Sequence, residues 1–298
     1  MTQKVTVVEV GPRDGLQAEV QIISPAQRTQ LITLLKASGL GCIEVGSFVS
    51  PKAVPQMAET HMVLESLKSL GSLDPYMVLV PNDQGFQEAA RAHVKQIAFF
   101  TAASQTFVQR NIQCSIEESL LRLKGMMPQA KAAGMRVRGY ISCVMGCPYE
   151  GEVPPAAVVA LTEQLLMLGC DEISLGDTIG VGTPHRMRNL LKQVKQVAPL
   201  STLALHCHDT YGQALTNIYE ALSCGVRIFD SAIGGLGGCP YAPGASGNVS
   251  TEDLLYMLDG LGMETGVDRS LLLQATVYLR ETLKLPLRSR SACADLKI

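Results

Sequence analysis

Short β-branched runs alternate with longer amphipathic stretches eight times along the chain, and no other feature constrains its fold as tightly. The strand candidates are Val5–Val10, Cys42–Phe48, Tyr76–Val80, Gln96–Thr101, Arg136–Val144, Glu172–Gly176, Leu203–His208 and Phe229–Ile233. They are rich in Val, Ile or Phe, as strands buried on both faces of a parallel sheet are. The segments between them carry helix signals. After Ser24-Pro25, residues Leu31, Ile32, Leu34 and Leu35 share one face, and Gly39 follows. A capping serine, a first-turn proline and a closing glycine mark the two ends of a helix. Ser115–Ala133 repeats the logic with Gly134 as its stop, and Pro154–Leu168 ends at Gly169.

Eight strand–helix units in about 260 residues match the size of a (β/α)₈ TIM barrel. The rival is a doubly wound open sheet, which would usually show a glycine-rich phosphate turn after its first strand. Strand one runs instead into Gly11-Pro12-Arg13-Asp14-Gly15, a charged turn. The barrel is therefore predicted over about residues 5–267 of a single domain, 1–298, with a C-terminal helix and polar tail over 268–298. Beyond Leu285 the tail reads as disordered.

Composition narrows the class of partner. Lys and Arg number 25 against 27 Asp and Glu, so no bulk field favours nucleic acid or an anionic membrane. The first apolar segment lacks the cationic start of a signal peptide, and no apolar run is long enough to span a bilayer. Nine cysteines, scattered and without paired C-x₂-C motifs, read as reduced thiols in a cytoplasmic protein.

Active sites of (β/α)₈ barrels lie at the C-terminal ends of the strands, and unusual polar residues gather there. Strand one ends in Arg13-Asp14, strand two contains Glu44, strand six leads into Asp177-Thr178, and strand seven ends in His206-Cys207-His208-Asp209. His206 and His208, two apart on a strand, point to the same face, and with a carboxylate they can form a metal site. Glu44, inside an apolar strand, needs a partner or a metal. An ion pair with Arg13 is the structural reading, and both roles are compatible. Asp14 and Asp177 stay open between a ligand or binding role and helix capping. Strand eight opens into GGLGGCPYAPGASGN, residues 234–248, with six glycines in fifteen residues. So long a glycine loop in a compact barrel reads as a lid. Cys239 within it is a candidate nucleophile or acid, and Cys147 in MGCPYEG is a weaker one.

Several motifs then resemble one family. VEVGPRDGLQ (8–17), SFVSPK (47–52), RGYISC (138–143), GCPYEG (146–151), SLGDTIGVGTP (174–184), HCHDTYGQAL (206–215) and GLGGCPYAPGASGN (235–248) look like the hydroxymethylglutaryl-CoA lyases. The resemblance runs in order from about residue 5 to 285. It implies a divalent cation, Mg²⁺ or Mn²⁺, held by Asp14, His206, His208 and Asn248, with Glu44 behind them. It implies cleavage of 3-hydroxy-3-methylglutaryl-CoA to acetyl-CoA and acetoacetate. Arg13 would stabilise the enolate, His206 or Asp14 would act as base, and Cys239 would return the proton. Gln17, Tyr140, Asp177 and Thr178 would line the substrate pocket. An acyl-CoA is the implied partner, and a homodimer is left open. The chain departs from the family pattern at Ala18, Val20, Ala53 and Gln84, where a polar, a basic, an aromatic and a basic residue are usual. Those changes leave room for a related 3-hydroxyacyl-CoA as substrate. The alternatives are a condensing enzyme or a 4-hydroxy-2-oxo acid aldolase of the same superfamily, and a non-catalytic acyl-CoA-binding barrel. Condensing enzymes usually carry extra C-terminal sequence and lack the cysteine loop.

Overall fold

Eight parallel strands pair in chain order and the eighth pairs back onto the first, closing a barrel. In this computed structural model residues 3–238 and 247–298 are described. The strands are β1 (Thr6–Glu9), β2 (Cys42–Ser47), β3 (Tyr76–Leu79), β4 (Gln96–Ala102), β5 (Arg136–Ser142), β6 (Glu172–Asp177), β7 (Leu203–Cys207) and β8 (Ile228–Ser231). The first four helices are α1 (Pro25–Ala37), α2 (Thr60–Leu70), α3 (Asp83–Arg91) and α4 (Gln105–Ile112). They are followed by α5 (Ile116–Ala132), α6 (Pro155–Met167), α7 (Pro184–Val194) and α8 (Ala214–Cys224), and then by α9 (Thr251–Gly260), α10 (Arg269–Val277) and α11 (Arg290–Leu296). This is the predicted (β/α)₈ barrel.

The caps read from the sequence are in place. Ser24 and Ser115 each accept a hydrogen bond from the backbone N–H three residues on, and Gln27 and Glu118 reach back to complete both boxes. Strand ends differ slightly from the predicted runs. β8 stops at Ser231, and the chain then turns through Ile233–Gly235, with Ala232 bridged only to Ser250. One expectation fails outright: the C-terminal segment is ordered. Asp253 accepts hydrogen bonds from the Ser289 hydroxyl and from the Arg290 and Ser291 amides, while the Arg288 amide donates to Gly234. Ala292 on α11 is fully buried. A composition-based reading missed this because the anchors are a carboxylate and a carbonyl far away in sequence.

Candidate metal centre

The turn after β1 is wound so tightly that the amides of Arg13, Asp14 and Gly15 all point at the Val10 carbonyl, at 3.1, 2.7 and 3.3 Å. Glycine is required on both sides of the charged pair. A Cβ on Gly11 would lie 2.6 Å from Glu9 Oε1, and one on Gly15 would lie 2.7 Å from Leu236 Cβ. The turn thereby lifts Arg13 and Asp14 over the barrel mouth. The Arg13 guanidinium donates through Nε to Glu44 Oε2 at 2.7 Å, approaches the same oxygen through Nη2 at 2.6 Å, and donates through Nη1 to Asp14 Oδ1 at 2.6 Å. Glu44, fully buried on β2, is thus the ion-pair partner of Arg13. Burial pushes its carboxyl upward, and Arg13 is the counterweight. Tyr140 on β5 donates to Glu44 Oε2 at 3.4 Å and stands edge-on to the His206 ring.

His206 and His208 face the same side from the end of β7, their ring centroids 5.2 Å apart. Asp14, His206 and His208 each offer a ligand atom, and these atoms all lie within 4.8 Å of one another. Asn248 joins them from beyond β8, donating through Nδ2 to Asp14 Oδ2 at 2.8 Å. A half-turn of that amide would present Oδ1 instead. Burial alone would raise the Asp14 carboxyl, but Arg13 and the two imidazoles hold it well below the usual range. Burial and the neighbouring His206 push His208 down to about 4, so it is a neutral donor at physiological pH. Its Nδ1 is buried with no hydrogen-bond partner among the described residues. An ionised carboxylate, a neutral His208 imidazole and a second imidazole beside it suit a divalent cation.

Other predicted residues are placed differently. The Asp177 carboxylate is committed to its own loop, accepting from the amides of Val181 at 3.1 Å and Gly182 at 2.8 Å. It therefore shapes the loop ahead of α7, whose cap residue is Thr183. Burial, offset by these bonds, raises its pKa to about 6. Thr178 accepts from the Cys143 amide at 2.9 Å. Gln17 lies half-buried with Oε1 unpartnered. Cys147 is buried against the Ser104 hydroxyl at 2.9 Å, which removes the exposure its candidacy required. Cys239 lies outside the described residues. The eight described cysteines are free thiols.

Sequence reasoning missed the layer beneath the cluster. Asp230 on β8, with a fully buried side chain, faces His206 Nδ1 at 3.2 Å and accepts from Arg138 Nη2 at 2.5 Å and from Ser174 Oγ at 3.0 Å. The argument that singled out Glu44, a charge inside an apolar strand, would have found Arg138 and Asp230 had it been applied to strands five and eight.

A closed parallel barrel whose C-terminal rim gathers one carboxylate, two imidazoles and a paired arginine defines the class: a (β/α)₈ barrel with a candidate divalent-cation centre. The chain belongs to the HMGL-like family, whose family model matches residues 4–278. It is 52% identical over 296 residues to the mitochondrial hydroxymethylglutaryl-CoA lyase of Bos taurus, covering 99% of this chain and 91% of that protein. It is 53% identical over 279 residues to the cytoplasmic 3-hydroxy-3-methylglutaryl-CoA lyase of Danio rerio, covering 94% and 83%. Among solved structures, the hydroxymethylglutaryl-CoA lyase of Pseudomonas aeruginosa matches with a TM-score of 0.95 at 50% identity, over 100% of this chain and 99% of that one. The HMG-CoA lyase from Acenitobacter baumannii, solved with coenzyme A and 3-methylmalate, matches with a TM-score of 0.91 at 35% identity, covering 98% of this chain and 94% of that one. Among the described residues, no helix is long and apolar enough to cross a membrane.

Proposed function

We propose that the chain cleaves 3-hydroxy-3-methylglutaryl-CoA to acetyl-CoA and acetoacetate, a carbon–carbon lyase reaction, with residues 1–298 acting as one catalytic domain. The observation that carries this reading is the meeting of Asp14, His206 and His208 beside an arginine whose plane two carboxylates fix. Asp14, His206, His208 and Asn248 would hold Mg²⁺ or Mn²⁺, with Glu44 behind them bracing Arg13. Such an ion would act as a Lewis acid toward the tertiary hydroxyl and terminal carboxylate of the substrate.

The side chains divide the remaining work. His206 or Asp14 takes the hydroxyl proton, the C2–C3 bond breaks, and its electron pair passes into the thioester enolate. Arg13 uses N–H groups on Nε, Nη1 and Nη2 to hold its carboxylates, which leaves two of its five donors and its fixed positive charge to stabilise the enolate oxygen. Cys239 returns a proton to the enolate carbon. Gln17, with its unpartnered Oε1, Tyr140 and Thr178 line the pocket, and Asp177 acts by holding the loop after β6. The cytoplasm is the compartment this reading takes, as named for the Danio rerio relative; the mammalian relatives are named mitochondrial.

A second reading keeps the chemistry and changes the acyl group. Ala18, Val20, Ala53 and Gln84 are all exposed, on the loops and helix starts after β1, β2 and β3, so their replacement alters what meets an incoming acyl-CoA without touching the donor set. Purified protein with Mg²⁺ and a panel of 3-hydroxyacyl-CoAs, followed by acetyl-CoA release, tests both. Fastest turnover is expected on 3-hydroxy-3-methylglutaryl-CoA; a preference for another C3 substituent would favour the second reading, and no release from any of them would end both.

A further inference from the structure

We infer that Asp230 is a positioning residue that fixes the tautomer of His206, keeping the proton on Nδ1 so that Nε2 offers its lone pair to the rim. The inference rests on the proposed function only for what the rim then binds. Asp230 Oδ1 accepts from Arg138 Nη2 at 2.5 Å, and Oδ2 accepts from Ser174 Oγ at 3.0 Å. A buried carboxylate paired with a guanidinium is ionised and can only accept. His206 Nδ1 lies 3.2 Å from Oδ2, and two acceptors cannot share that contact, so the ring nitrogen must carry the proton.

In the neutral ring the other nitrogen is then left with its lone pair. His206 Nε2 lies 3.9 Å from Asp14 Oδ2, beyond hydrogen-bond distance but on the same side as the other donors. Tyr140, edge-on to the imidazole at 6.1 Å between centroids and 85° between planes, holds the ring orientation. Arg138 is anchored from its other side by Glu172, which Nε approaches at 3.0 Å. A chain of charge contacts therefore runs from the start of β6, through β5 and β8, to the imidazole at the end of β7. His208, two residues on, has no such brace at Nδ1. The two imidazoles of one motif are set by different means, and only His206 is oriented by a charge beneath it.

The test reads the proton directly. The chain has five histidines, so metal-free protein labelled with ¹⁵N-histidine gives a sparse long-range ¹⁵N–¹H spectrum at alkaline pH, assignable with His206→Gln. Wild-type His206 is expected as the Nδ1–H tautomer. In Asp230→Asn, Arg138 takes the amide oxygen, the amide N–H donates to Nδ1, and the His206 proton moves to Nε2. Mn²⁺ affinity of that variant should fall by about 10- to 100-fold, as for other partners of metal-facing histidines. Its kcat should fall with KM little changed. An Nε2–H signal from His206 in the wild type would overturn the inference without any variant having to fold. So would an Asp230→Asn protein with wild-type tautomer and Mn²⁺ affinity. A wild-type protein inert toward 3-hydroxy-3-methylglutaryl-CoA would sink the proposed reaction and leave the tautomer result standing.

Discussion

His206 and His208 belong to one H-x-H motif, yet their surroundings bias them in opposite directions. Burial pulls both toward the neutral form, but Asp230 and Asp14 more than reverse it at His206 and leave its pKa raised. Among the described residues His208 has no carboxylate beneath it, and burial together with the nearby His206 ring drops it to about 4. A neutral imidazole whose Nδ1 has no hydrogen-bond partner among the described residues is the stronger candidate for a simple ligand. His208→Ala should therefore greatly lower Mn²⁺ binding measured by equilibrium titration, and unchanged stoichiometry would remove it from the centre. The other residue-scale prediction concerns the proton donor. If Cys239 protonates the enolate carbon, Cys239→Ala should cut turnover by about 10²- to 10⁴-fold, the usual range for a general acid. Near-normal acetyl-CoA release from that variant would assign the step elsewhere.

At the scale of elements, the most legible features were those set by neighbours in sequence. The capping boxes at Ser24 and Ser115 form as the spacing of Ser, Gln and Glu required, because a cap involves only residues within one turn. Ser115 begins α5, which packs outside β4 and β5, away from the cluster. Ser115→Ala should cost about 1 kcal/mol of stability in urea unfolding and leave kcat unchanged. A shift in activity would mean that α5 communicates with the rim. The tail was misread for the opposite reason. Its polar sequence carries no local signal, while Ser289, Arg290 and Ser291 are held by Asp253, more than thirty residues away.

The whole molecule carries a buried acidic pair that contributes to how its stability depends on pH. Glu9 bridges the loops after β1 and β8, accepting from the amides of Gly11 and Ile233 and from the Thr251 hydroxyl. Glu252 accepts from the Gly234 amide and the Thr276 hydroxyl. Burial, partly offset by these bonds, raises Glu9 to about 8 and Glu252 to about 7 from the ordinary value near 4.5. For carboxyls raised in the folded state, the native protein holds protons that the unfolded chain has released. Their contribution is present in full below about pH 4.5 and is lost as pH rises through 7 and 8. Thermal melts should therefore lose stability between about pH 4.5 and pH 8 and level off above that. Glu252→Gln, which cannot ionise, should lose less over that range. An equal pH slope in both proteins would show that Glu252 does not titrate there.

The sequence by itself determined the eight strands, the helix caps and the polar strand ends, since periodicity and capping act between near neighbours. It also marked Arg13, Asp14, His206 and His208 by their place at those ends. Only the closed barrel decided which polar groups meet. Asp14 and Asn248 are 234 residues apart, Arg138 and Asp230 are 92 apart, and neither contact leaves a trace in local pattern. Closure brings the strands into register, and the barrel interior leaves each buried charge few partners from which to choose. For that reason Asp177, promising from its position, turned to its own loop, while Asp230, unremarked in the sequence, lies against the imidazole of His206.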